Sequence, residues 1–140
     1  MKPRHAFGRL AVILLAGLGA AAAAQASGFS SSPNPANISA QGGALAWKYI
    51  TFTNNGPGFA SNVAVTLSGG AHTSALNIIS DTCTGARVAQ GGTCTVRVEF
   101  DAACYVRAGT TDTWQLEISS TEFPVFNSTV NGTVTTKGCI

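Results

Sequence analysis

Charge is scarce in this chain: Lys and Arg number 8, Asp and Glu 6, together 10% of 140 residues. Exposed helices normally carry Glu, Lys and Arg, so this poverty argues against a helical surface. Outside the first nine residues no Lys/Arg cluster occurs, which removes the footprint that nucleic acid or an anionic membrane surface would need. Histidine is nearly absent as well, and beyond His5 only His72 remains. With no C-x-x-C pair to join it, a zinc site lacks ligands, and no metal or other cofactor is expected. A G-x-S-x-G nucleophile elbow is also missing. No apolar run reaches the ~20 residues that cross a bilayer.

The longest apolar run, Leu10–Ala24, is about 15 residues. It follows Lys2, Arg4 and Arg9 and closes on Ala24-Gln25-Ala26. Basic head, short apolar run and small residues at both cleavage positions predict a secretory signal peptide over residues 1–26. No cysteine follows the run, so no lipid anchor is expected. The mature product is then periplasmic or extracellular, with surface association through a partner as a further option. Removing Lys2, Arg4 and Arg9 leaves five cations against six acids, turning the net charge of +2 into −1.

What remains is one domain's length. Residues 27–44 read as a polar, proline-containing lead-in and edge segment, and 45–140 as the folded unit. All four cysteines, Cys83, Cys94, Cys104 and Cys139, lie in the mature part, and an even number in an oxidising compartment predicts two disulfides. Ser, Thr, Gly and Val dominate, which suits strands and tight turns.

The patterning agrees. Lys48–Thr53 alternates with Ile50 and Phe52 on one face, and Asn54-Asn55-Gly56-Pro57-Gly58 is a dense turn signal. Asn62–Leu67 turns Val63, Val65 and Leu67 inward, and Leu76 with Ile78 marks a shorter strand. Thr93–Phe100 sets Val96, Val98 and Phe100 in, with Arg97 and Glu99 out. Thr113–Ile118 does the same with Trp114, Leu116 and Ile118, and Val125–Val134 alternates weakly. Six or seven short strands without helical periodicity predict an antiparallel β-sandwich. In that layout Cys83 and Cys94 close a short loop at one pole. Cys104 and Cys139 end strands that run the same way and meet at the other. The expected pairs are Cys83–Cys94 and Cys104–Cys139, each contributing about 2–4 kcal/mol.

Three segments carry a resemblance: Ile50-Thr51-Phe52-Thr53-Asn54-Asn55-Gly56, Ser80-Asp81-Thr82-Cys83-Thr84-Gly85, and Gly91-Gly92-Thr93-Cys94-Thr95-Val96-Arg97-Val98-Glu99-Phe100. They resemble bacterial immunoglobulin-like domains of the choice-of-anchor D type, related to the abnormal-spindle/hydin (ASH) and major-sperm-protein-like sandwiches. Leu116–Ser120 and Val130–Thr133 fit the family's last two strands. The resemblance implies an immunoglobulin-like sandwich and, independently, the Cys83–Cys94 bridge; the family occurs more often as repeats in large surface proteins. The family's usual T-P after the strand phenylalanine is replaced by Asp101-Ala102-Ala103-Cys104, and a second bridge is not part of its pattern.

Chemistry-bearing residues are few. His72 with Ser68 or Ser74 and Asp81 offers a Ser-His-Asp combination outside any nucleophile-elbow context, and a solvated loop histidine is the simpler reading. Glu99 and Glu117 sit on outward phases, where a cross-strand partner such as Arg97 suits them better than a catalytic pair. Trp47 and Tyr49 alternate out of phase with Ile50 and Phe52. They either pack beneath the N-terminal segment or Phe59, or stand exposed as ligand-contact aromatics. Two functions follow: a structural or protein-binding domain of the cell envelope, or an adhesin-like module for a surface glycan. An enzyme is not expected.

Overall fold

The computed structural model describes residues 28–102 and 107–137, so the predicted leader 1–26, Cys104 and Cys139 lie outside the described residues. Alternation in the sequence becomes alternation in space. In β6 (Thr93–Asp101), Cys94, Val96, Val98 and Phe100 are buried and the residues between them are not. β7 (Thr111–Ser119) buries Trp114, Leu116 and Ile118 by the same period of two. β8 (Phe126–Val134) keeps that period, but Ser128 and Gly132 hold two of its inward positions, which is why its sequence alternates weakly.

The remaining strands are β1 (Phe29–Ser32), β2 (Ala36–Ala40), β3 (Leu45–Asn54), β4 (Ala64–Gly69) and β5 (Leu76–Asp81). They form two four-stranded sheets, ordered β1-β3-β6-β5 and β2-β8-β7-β4. Inward side chains of both sheets share one core, crossed by edge-to-face ring pairs Phe52–Phe126 and Phe100–Trp114 at centroid distances of 6.5 and 5.8 Å. Fully burying each such side chain contributes about 1.5–3 kcal/mol. The architecture is an immunoglobulin-like two-sheet sandwich.

Two features differ from the sequence-based expectation. The described residues hold eight strands rather than six or seven, because the proline-containing segment supplies both β1 and β2. Neither Pro33 nor Pro35 can donate an N–H, so β1's ladder on β3 stops at Ser32↔Thr51. The chain then crosses to the other sheet, where Ala36, Ile38 and Ala40 are buried. There β2 runs parallel to β8, from Ala36↔Val130 to Ala40↔Val134, so the sandwich is not antiparallel throughout.

Candidate functional site

The loops explain most of the polar residues that the sequence marks out. Asn54 is fully buried: its Nδ2 donates to the carbonyls of Gly58 and Val88, both at 2.9 Å, and its Oδ1 accepts from Gly56 N–H at 2.9 Å. A Cβ on Gly56 would lie 2.2 Å from the Phe123 ring, so only glycine fits there. Asp81 caps the next turn, accepting from Cys83 N–H at 2.6 Å, Thr84 N–H at 3.1 Å and the Thr84 hydroxyl. That turn presents Cys83 to Cys94, and the two form a disulfide with Cα atoms 5.0 Å apart.

The residues considered for catalysis are placed apart. His72 meets Asp112 rather than Asp81: Asp112 accepts from the backbone N–H of Ala71, His72 and Thr113, and His72 Nδ1 lies 3.5 Å from its carboxylate. Burial alone would raise the Asp112 pKa, but these hydrogen bonds outweigh it and hold the carboxyl below its ordinary value. Ser68 donates to Glu117, and Ser74 lends its carbonyl to Asn77. Glu117 lies on the sheet opposite Glu99 and Arg97, where Thr66 and Ser68 of β4 hold it at 3.2 and 3.0 Å. Glu117 therefore cannot take Arg97 as its partner. A small cleft lined by His72, Phe100, Asp112 and Trp114 has about 10 Å³ of room, the size of one water molecule.

The two outer faces of the sandwich differ sharply. That of β2-β8-β7-β4 is polar and bonded to itself: Thr113 to Asn131 at 2.9 Å, Asn131 to Asn37 at 3.0 Å, and Thr111 to Thr133 at 2.8 Å. That of β1-β3-β6-β5 carries Leu45, Trp47 and Tyr49 along β3, 60%, 54% and 50% exposed. Phase puts them there, opposite in sense to buried Ile50 and Phe52. Neither Trp47 nor Tyr49 packs beneath Phe59, which stacks instead with Arg87 at 3.8 Å. Trp47 and Tyr49 meet edge to face, 5.5 Å between centroids at an interplanar angle of 73°. The Arg97 guanidinium, from the neighbouring strand, lies 4.7 Å over the Trp47 ring. Its Nε has no hydrogen-bond partner among the described residues. Ile79, the extra residue of a β-bulge in β5, is exposed one position before Ser80, which pairs with Arg97.

With this geometry the known structures can be compared. The ASH/PapD-like domain 7 of human CEP192 aligns with 97% of this chain and 100% of its own, at TM-score 0.53 and 12% identity. The likeness is one of fold and supports an immunoglobulin-like sandwich of the ASH type. The secreted serine protease VesC of Vibrio cholerae aligns at TM-score 0.55 and 22% identity over 79% of this chain. This chain spans only 24% of VesC. A Porphyromonas gingivalis protein of unknown function aligns at TM-score 0.53 and 17% identity, over 84% of this chain and 51% of its own. No family model and no curated protein sequence matches the chain. Among the described residues no helix is long and apolar enough to cross a membrane, and the disulfide is compatible with an oxidising compartment.

Sequence reasoning reached Trp47 and Tyr49 but missed Leu45, Ile79 and the stacking of Arg97. The patterning of β3 and β6 could have supplied Leu45 and the Trp47–Arg97 neighbourhood, because both strands alternate cleanly. The bulge that exposes Ile79 leaves no local signal.

Proposed function

We infer that this chain is an exported, non-catalytic immunoglobulin-like domain of the cell envelope that works through protein contact at the Leu45–Trp47–Tyr49 face. The carrying observation is the contrast between the two outer faces, one polar and self-bonded, the other aromatic and open. An exposed apolar patch on a chain this poor in charge is a surface that gains by being covered. Export rests on the predicted signal peptide and is supported by the disulfide. Periplasmic or extracellular residence follows from it.

The glycan reading draws on the same aromatics, but sugars stack on open, flat ring faces. Here Arg97 covers one face of Trp47, and Tyr49 stands edge-on to it. Protein contact fits that surface better. Replacing Trp47 by a photo-reactive residue in the producing cell is expected to give protein adducts, while the same change at Thr113 on the polar face gives none. Absence of adducts at position 47, with glycan-array binding that disappears in Trp47→Ala, would transfer the site to a glycan.

A second disulfide, Cys104–Cys139, belongs to the same proposal. Its support is that the flanking residues converge on one turn: Gly43 N–H donates to Ala102 O, and Gly42 N–H donates to Thr136 O at 2.8 Å. Peptide mapping without reduction tests it.

A further inference from the structure

Among the described residues, the aromatic face of β3 borders an unpaired sheet edge. β1 covers β3 only over Thr51–Asn54, and no strand among the described residues pairs with Leu45–Tyr49 on that side. The direction of the backbone groups is fixed by alternation. Asn54 exchanges hydrogen bonds with Gly91 and Gly92 at the start of β6, and Ala44 O accepts from Ala102 beyond its end, so even-numbered residues of β3 face β6. Asn55 N–H turns the other way, to Gly28 O. The β3–β6 register runs without a shift from Leu45↔Asp101 to Thr53↔Thr93. The N–H and C=O of Leu45, Trp47 and Tyr49 therefore point out of the open edge, beside three exposed apolar side chains.

We propose that this edge pairs antiparallel with the same edge of a second copy of the chain, about a twofold axis through Trp47. This deepens the protein-contact reading and rests on it. A twofold interface must be self-complementary, and Leu45-x-Trp47-x-Tyr49 is: Trp47 meets Trp47, while Leu45 meets Tyr49 on either side. Each pair is apolar or aromatic, the kind that stabilises neighbouring strands. Charges on β6 do not choose the register: the outer rows end in Arg97 and Asp101 of opposite copies, while the central row ends in Glu99 on both sides. Inward-facing Lys48 donates to Asn37 O at 3.0 Å, tying its ammonium back to its own domain, and sits opposite the small Ala46 of the second copy. The adjacent register, Trp47 against Tyr49, would set Lys48 against Lys48, and like charges directly opposite repel. An inward-pointing lysine on an edge discourages indiscriminate strand addition. Here it disfavours the register centred on Lys48, and the register centred on Trp47 is the one that matches all three apolar residues with apolar partners.

The junction is short, so the dimer is expected in the micromolar range rather than the nanomolar. Sedimentation of the mature protein over a wide concentration series should show a monomer–dimer equilibrium. Leu45→Lys, at an exposed position that leaves the core intact, should weaken it at least ~tenfold. Trp47→Cys should form an interchain disulfide on mild oxidation, and Thr113→Cys should not. As a check independent of variants, the amide signals of Leu45, Trp47 and Tyr49 should shift on dilution of the unmodified protein. A monomer at every concentration, or a dimer indifferent to Leu45→Lys, overturns the proposal. If that monomer still gives adducts to other proteins from position 47, the occupant is a foreign strand and the protein-contact reading survives. If it gives none, both fall.

Discussion

At the scale of single residues, the polar side chains that look most like chemistry serve loops. Asp112 closes the Ala71–His72 turn onto β7, and buried Asn54 joins three stretches of backbone that would otherwise carry unmet donors and acceptors. Motif and spacing show that Asn54 and Asp81 are turn residues, but they do not say which distant backbone each holds. Asp112 gives the clearest consequence. Its carboxyl titrates below the ordinary 3.8 in the folded chain, so its contribution is present above that value and is lost as pH falls through the folded pKa. Asp112→Asn keeps the shape but gives up charge-assisted bonds, and is expected to cost about 1.5–3 kcal/mol near neutrality. Urea unfolding at pH 6 and pH 3 checks this: the gap between the two proteins should narrow at the lower pH. A gap that stays constant would deny the carboxylate this role.

At the scale of elements, alternation in the sequence identified β3, β6 and β7 together with their inward residues, because each has one wet and one dry face and the period of two records it. The first two strands showed in the sequence only as a lead-in with one possible edge strand. β1 is Phe29 followed by serines, and β2 reads Ala-Asn-Ile-Ser-Ala, too small and polar to announce a buried face. Yet Phe29, Ala36 and Ile38 are buried, and Phe29 packs edge to face on Phe123 at 5.9 Å. A chain beginning at Gln41 is therefore expected to lose cooperative folding, since it strips a strand from each sheet and uncovers the core. Near-UV circular dichroism and a denaturant titration test this. A sharp transition in the shortened chain would show that residues 27–40 are dispensable.

At the scale of the whole molecule, the proposed Cys104–Cys139 bridge has a direct test. Non-reducing digestion should release Cys83 with Cys94 and Cys104 with Cys139; a fragment joining Cys83 to Cys104 would refute the pairing. Removing the second bridge should cost about 2–4 kcal/mol by freeing the C-terminal end of the chain. The sequence by itself determined the strand character, the inward residues of the central strands, the Cys83–Cys94 closure and the outward phase of Trp47 and Tyr49, because each depends on neighbours within a few positions. Tertiary structure decided which sheet each strand joins. It set Glu117 and Arg97 on opposite faces, gave Asp112 rather than Asp81 to His72, and laid Arg97 over Trp47. It also decided that β1 stops short along β3. Among the described residues the edge beneath the aromatic patch is unpaired because two prolines send the chain to the other sheet, and no local pattern records where a strand's partner ends.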